Sequence, residues 1–77
     1  MITKDQCRAA RALIEWSRAD LAKAAKVSER TITDFERGAR SPINASLAAI
    51  TGALEEAGVE FIPANGGGPG VRLKDTP

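Results

Sequence analysis

The stretch from Arg18 to Arg37 constrains the fold of this chain more than any other, because it contains two helix starts separated by a very short connection. Ser17 and Asp20 have the spacing of a capping box, so a helix is predicted to start one residue after Ser17 and to end near Ala25. Ser28 is a second capping residue, which predicts a second helix from there to the end of the stretch. Since only two residues lie between Ala25 and Ser28, the two helices must cross at a steep angle.

The apolar residues of this stretch form one inward face on each predicted helix. Leu21, Ala22 and Ala25 share a face of the first helix, while Ile32 and Phe35 are three residues apart on the second. A close crossing requires a small side chain where the backbones meet, and Ala22 lies one turn before the bend. The stretch therefore predicts a helix-turn-helix of the kind that reads DNA.

A larger set of positions, spread over the first half of the chain, matches the order and spacing of a known pattern. The matching residues are Arg11, Ser17, Leu21, Ala22, Val27, Ser28, Thr31, Ile32, Phe35, Glu36, Gly38 and Pro42. On these residues the chain resembles the helix-turn-helix family of phage repressors, Cro proteins and bacterial regulators of the xenobiotic-response-element type, over roughly residues 4–55. The resemblance implies a non-enzymatic protein that binds double-stranded DNA and regulates transcription.

Two positions depart from the pattern of the resembled family. Arg18 stands where the family usually has a glutamine that contacts phosphate and braces the second helix of the motif, which is called the recognition helix. Arginine at this position still provides a hydrogen-bond donor to phosphate and adds a positive charge. Lys26 stands where the family usually has the glycine of the turn. A side chain at a position of positive φ costs about 1 kcal/mol, so Lys26 is predicted to be mildly strained.

The resemblance implies that the second helix lies in the major groove with its N-terminal residues toward the base edges. Its outward positions are the candidates for reading bases, and they are Ser28, Glu29, Arg30 and Thr33. Arg30 is the strongest candidate, because a guanidinium donates two hydrogen bonds to guanine. Glu29 either accepts from a cytosine amino group or supports Arg30 and the helix dipole, and Thr33 can offer its methyl group to thymine.

The positive charge of the chain is concentrated in its first part. Residues 1–41 contain nine Lys and Arg against six Asp and Glu, whereas residues 42–77 contain two against four. Composition alone is equally consistent with ordinary solvation of surface helices, but the cations coincide with the predicted DNA-binding face. The candidates for phosphate contacts are Arg11, Arg18, Lys23, Lys26, Arg37 and Arg40.

A first helix is predicted for about residues 4–15, because Thr3 and Gln6 have capping-box spacing. Cys7 lies on its apolar stripe, which Leu13 widens, so Cys7 is interpreted as a small core residue. In the resembled family an arginine at the position of Arg11 forms an ion pair with the glutamate that corresponds to Glu36. The alternative is that these are two independent surface charges.

The composition excludes several classes of protein and site. A single cysteine excludes an internal disulfide framework, and the absence of histidine excludes both a Cys/His zinc site and catalysis by a histidine base. The chain shows neither the apolar run of a signal peptide nor a membrane-spanning stretch. We therefore expect a reduced, cytoplasmic setting, with no cofactor, no metal and no membrane partner. The resemblance implies a bacterial or phage-derived protein.

The second half of the chain predicts a fourth helix and a β-hairpin. Gly38 and Pro42 end the recognition helix, and Ser41 or Asn44 is expected to cap the next one. The apolar stripe of this fourth helix is Ile43, Leu47, Ile50 and Leu54. The helix is expected to end near Ala57. Residues 59–62 and 71–74 are short β-type runs on either side of an eight-residue loop of turn formers.

The prediction is thus a mainly α protein, a four-helix repressor-like domain with a short C-terminal β-hairpin. Residues 1–58 form the DNA-binding domain with its helix-turn-helix at 18–37, and residues 59–77 form the hairpin and a short tail, a candidate dimerisation element. We expect a homodimer built on the hairpin and the fourth helix. The alternative is a hairpin that folds onto the helices of its own chain.

An alternative function is a protein-interaction module, such as the antitoxin of a toxin-antitoxin pair, with DNA binding secondary. In that case the chain would have a protein partner as well as DNA. The segments that bind toxins tend to be disordered tails, so the ordered hairpin predicted here argues mildly against this alternative.

Overall fold

The computed structural model of the protein describes residues 2–74 and contains four helices followed by a two-stranded antiparallel sheet. The elements are α1 Lys4–Leu13, α2 Arg18–Ala25, α3 Glu29–Glu36, α4 Asn44–Glu56, β1 Val59–Ile62 and β2 Gly70–Leu73. The predicted mainly α fold with a C-terminal hairpin is confirmed. The tail at residues 75–77 lies outside the described part of the chain.

The first three helices begin where the capping residues predict. Thr3 and Ser17 each form a complete capping box with the side chain three residues on, Gln6 for α1 and Asp20 for α2. The Ser28 hydroxyl accepts from the backbone N–H of Thr31 at 3.1 Å and so caps α3. These caps satisfy N–H groups that have no partner within their helix, which is why each start is fixed locally.

The turn between α2 and α3 has the strained geometry that the sequence predicts. Lys26 adopts φ +59° and ψ +41°, in the left-handed region, and its N–H donates to the carbonyls of Ala22 and Lys23. The next N–H, that of Val27, also donates to the Ala22 carbonyl, at 3.0 Å. Ala22 is buried at this bend, as a close approach of the two helices requires.

The core lies among the four helices and the inner face of the hairpin. Its fully buried side chains include Cys7, Leu21, Ile32, Ile50 and Leu54, so the prediction that Cys7 is a core residue is confirmed. The other buried apolar residues are Ile2, Ala10, Ala22, Ala25, Phe35 and Val59. Trp16 is partly buried against this cluster.

Three predictions about the ends of helices are wrong. Ile43 is the N-cap of α4 and is 72% exposed. Its backbone is extended and does not follow the helical periodicity, so the apolar stripe begins only at Leu47. Neither Ser41 nor Asn44 caps α4, which has no side-chain cap. Leu13 ends α1 and is exposed, so it does not widen the buried stripe.

The hairpin packs on the helices of its own chain. Val59 is fully buried, and Phe61 and Val71, which face each other across the two strands, pack against the core. Gln6 on α1 donates through Nε2 to the carbonyls of Ile62 at 3.2 Å and Gly70 at 2.9 Å. The second strand starts at Gly70, one residue earlier than predicted, because Gly70 pairs with Ile62.

Residues 2–74 were compared with the requirements of a membrane-spanning helix and of a metal site. No helix in this part of the chain is long and apolar enough to cross a membrane. Over the same residues, no cluster of three or more Cys, Asp or Glu side chains is arranged to hold a metal ion.

Candidate nucleic-acid interface

A buried carboxylate on α3 ties three helices together. Glu36 lies near the end of α3, and its side chain has no exposed surface. Arg11 of α1 donates to it twice, from Nε to Oε2 and from Nη2 to Oε1, both at 2.7 Å. Arg18 of α2 donates from Nε to Oε1 at 3.1 Å, and the Cys7 thiol donates to Oε2 at 3.1 Å. The ion pair between Arg11 and Glu36 is therefore present, and the orientation of α3 is fixed against α1 and α2.

The protonation states of this cluster follow from its hydrogen bonds. Burial by itself raises the pKa of Glu36, but donation by Arg11, Cys7 and Arg18 outweighs it and leaves this pKa below its ordinary value. Burial raises the pKa of the Cys7 thiol strongly, and the hydrogen bond and negative charge of Glu36 raise it further. The carboxylate is thus ionised and the thiol protonated at neutral pH, so Cys7 acts as a donor.

The two arginines differ in what they leave free. Arg11 also donates from Nη1 to the Trp16 carbonyl at 2.9 Å, so three of its five N–H groups are committed within the protein. Within the described part of the chain, Arg18 donates a hydrogen bond only from Nε, and its side chain remains 36% exposed. Arg18 therefore combines an anchored guanidinium with two free terminal nitrogens, the geometry that suits a bidentate contact to phosphate.

The outward side of α3 carries the residues predicted to read bases. Glu29 and Arg30 are exposed, and 89% of the Arg30 side chain is in solvent. Thr33 is partly buried. Ser28 is exposed, but its hydroxyl is engaged with both the N–H and the hydroxyl of Thr31, the latter at 2.8 Å.

The remaining candidates for phosphate contacts are exposed cations on α2 and on the connections at either end of α3. Lys23 lies in the last turn of α2, and Lys26 is the turn residue. Arg37 caps the C-terminus of α3, and Arg40 follows in the loop to α4. In this loop the N–H groups of Ala39 and Arg40 both donate to the carbonyl of Asp34, so the path of the loop is fixed by α3.

A groove of about 360 Å³ lies beside the exposed face of α3. Its lining combines hydroxyl groups, two arginines and one carboxylate with the apolar start of α4, and the residues are Ser28, Arg30, Thr31, Asp34, Arg40, Ser41, Pro42, Ile43 and Ser46. Sequence reasoning did not single out Asp34, Ile43 or Ser46 for this surface. A signal existed for Asp34, because it lies four residues after Arg30 and so on the same side of the helix.

Comparison with known proteins agrees with this geometry. A family model described as helix-turn-helix matches residues 8–56, which is more than half of the chain and includes all four helices apart from the first turn of α1. No curated protein matches the chain.

Proposed function

The chain belongs to the helix-turn-helix family of Xre and Cro type, a family of non-enzymatic DNA-binding regulators, and we propose that it recognises a specific DNA sequence by placing α3 in the major groove. The observation that carries the proposal is the combination of a fixed helix and a free face. Glu36 fixes one end of α3 through donors from α1 and α2, while Arg30 at the other end extends into solvent. A rigid helix with an exposed polar face can read base edges without losing conformational entropy on binding, because it is already ordered.

We assign base reading to Ser28, Glu29, Arg30 and Thr33, with Arg30 as the main determinant. A guanidinium in the major groove donates to O6 and N7 of guanine, a contact worth about 1–3 kcal/mol of discrimination. Glu29 is exposed in the first turn of α3, where it can accept from a cytosine amino group. Ser28 has its hydroxyl engaged in capping, so its share in base reading is smaller than that of Arg30.

We assign phosphate contacts to Arg11, Arg18, Lys23, Lys26, Arg37 and Arg40. Arg18 is the best placed of the six, because Glu36 holds its Nε and leaves both terminal nitrogens available. Arg11 has only two uncommitted N–H groups, so its contribution is mainly to hold α3. Each phosphate that is contacted releases counterions, so these residues supply affinity and salt dependence rather than sequence choice.

The proposal is tested by selecting bound sequences from a pool of random duplexes. The expected result is a short consensus containing at least one guanine that is required for tight binding. Arg30→Ala should then remove the preference for that guanine at a cost of about 1–3 kcal/mol on the selected site. Equal losses on the selected site and on random DNA would remove Arg30 from the base-reading role.

We also propose that the protein binds DNA as a homodimer, because one helix-turn-helix contacts too few base pairs for high affinity and two-fold pairs bind half-sites about 34 Å apart. The inner face of the hairpin packs on the helices of its own chain, so only its outer side supports this proposal: within residues 2–74 neither strand has a second strand partner, and Leu73 is exposed beside the core residue Val59. Light scattering at high micromolar concentration should give the mass of a dimer. Monomer mass, with one copy bound per palindrome, would eliminate the dimer.

The competing proposal is an antitoxin that neutralises a protein partner and binds DNA secondarily. Residues 59–73 form a hairpin anchored by Gln6, which differs from the disordered tail that toxin-binding segments tend to have. A stoichiometric protein that co-purifies with the chain would favour this alternative. We place the regulator in the cytoplasm, where reduced Cys7 and access to DNA are both expected.

A further inference from the structure

Among the described residues, Asp34 is the one carboxylate that lines the groove beside α3. Asp34 lies four residues after Arg30, and its Oδ2 is 3.6 Å from the Nε of Arg30. Its side chain is only 25% exposed, whereas that of Arg30 is 89% exposed. The carboxylate is therefore the fixed member of the pair, and the guanidinium is the mobile one.

The backbone of Asp34 is fixed as well. Its carbonyl accepts from the N–H groups of Ala39 at 2.8 Å and Arg40 at 3.3 Å, so the residue holds the loop that leads to α4. A carboxylate on the side of α3 that is proposed to enter the major groove opposes DNA binding by simple charge repulsion. Its position is explained if it acts on Arg30 instead.

We propose that Asp34 is a positioning residue that makes the recognition of guanine by Arg30 selective, an inference that rests on the function proposed above. By attracting Nε, Asp34 turns the guanidinium so that its terminal nitrogens, Nη1 and Nη2, point away from the helix. These two nitrogens match the spacing of O6 and N7 on guanine. An unrestrained Arg30 would also reach phosphates and other bases, because a long side chain in solvent samples many rotamers.

The proposal predicts opposite changes in affinity and selectivity. Removing the charge of Asp34 should raise affinity for random DNA by up to about twofold at low salt, because one nearby negative charge is lost. The same change should lower the preference for guanine over adenine at the base that Arg30 reads. A residue with a purely structural role would weaken binding to all DNA alike.

The experiment begins with sequence selection by the wild-type protein and by Arg30→Ala, which identifies the guanine that depends on Arg30. Competition binding then compares this site with the same site carrying adenine, for wild type, Asp34→Asn and Glu56→Gln. Glu56→Gln makes the same change of charge at an exposed residue near the end of α4 and serves as the control. We expect a wild-type preference of about 5- to 150-fold, reduced at least about threefold by Asp34→Asn and unchanged by Glu56→Gln.

Two further measurements make the result specific to Arg30. In the Arg30→Ala background, Asp34→Asn should have no effect on base preference at any position. In the free protein, the NMR signal of the Arg30 Nε–H should shift in Asp34→Asn and not in Glu56→Gln. Thermal melting of each variant checks that the fold is retained.

Each outcome bears on a separate claim. Failure of the wild-type protein to select any sequence, or a guanine preference that survives Arg30→Ala, overturns the proposed function and the role of Asp34 with it. An Arg30-dependent preference that is equally strict in Asp34→Asn overturns the role of Asp34 alone. A change of base preference by Asp34→Asn in the Arg30→Ala background shows that Asp34 contacts the bases itself, which also overturns the positioning role.

Discussion

Replacing Glu36 by glutamine tests whether the buried carboxylate determines the stability of this domain. Glutamine has nearly the same shape, but it presents one carbonyl oxygen and an NH₂ group to a site where Arg11, Arg18 and Cys7 all donate. At least two donors then lose their acceptor. Each hydrogen bond to a charged group contributes about 1.5–3 kcal/mol, and removing one partner of a fully buried ion pair costs about 3–5 kcal/mol.

The exposure of the two arginines reduces this cost. Arg18 keeps about a third of its side chain in solvent and Arg11 a smaller part, so water can partly replace the lost carboxylate. We therefore expect Glu36→Gln to lower the free energy of unfolding by about 2–4 kcal/mol. A small domain has a total stability near the lower end of about 5–15 kcal/mol, so the variant should remain folded in water but unfold at much lower urea.

The assay is equilibrium unfolding in urea followed by circular dichroism, with Glu56→Gln as the matched control. Glu56 is exposed near the end of α4, and its replacement should change the unfolding free energy by less than about 0.5 kcal/mol. A loss below about 1 kcal/mol for Glu36→Gln would refute the reasoning, since it would mean that the arginines gain as much from water as from the carboxylate.

Four other predictions follow from the same structure. The stability difference between wild type and Glu36→Gln should be fully present above about pH 4.5 and should shrink as the pH falls through the lowered folded pKa of Glu36, which urea titrations between pH 2 and 7 can measure. Lys26→Gly should raise the free energy of unfolding by up to about 1 kcal/mol by relieving the positive φ, and a variant no more stable than wild type in urea would contradict this. Arg40→Ala should weaken binding to specific and random DNA alike and lower the salt slope by about one unit, whereas a loss confined to the selected site would indicate base contact. Val59→Ala should cost about 2 kcal/mol of stability and a chain truncated after residue 58 should not unfold cooperatively, because Val59 is part of the core, and a cooperatively folded truncated chain would contradict this.

The sequence by itself determined the features that depend on bonds within one helical turn. Thr3, Ser17 and Ser28 fix the starts of three helices because each hydroxyl meets a backbone N–H three residues later. The spacing of Leu21, Ile32 and Phe35 similarly identified the buried faces. The positive φ of Lys26 was anticipated from the glycine that the resembled family usually has at this turn. The Arg11–Glu36 pair was anticipated too, although only from the resemblance, because composition gives no information about two charges 25 residues apart.

Only the tertiary structure decided the contacts between distant parts of the chain. Cys7 donates to a carboxylate 29 residues away, and Gln6, besides capping α1, anchors strands 56 and 64 residues away. No local pattern encodes these contacts, because they depend on the angles at which α1, α3 and the hairpin pack. The exposure of Ile43 was also missed: its spacing fits the apolar stripe of α4, but its backbone is extended at the N-cap and its side chain lies outside the core.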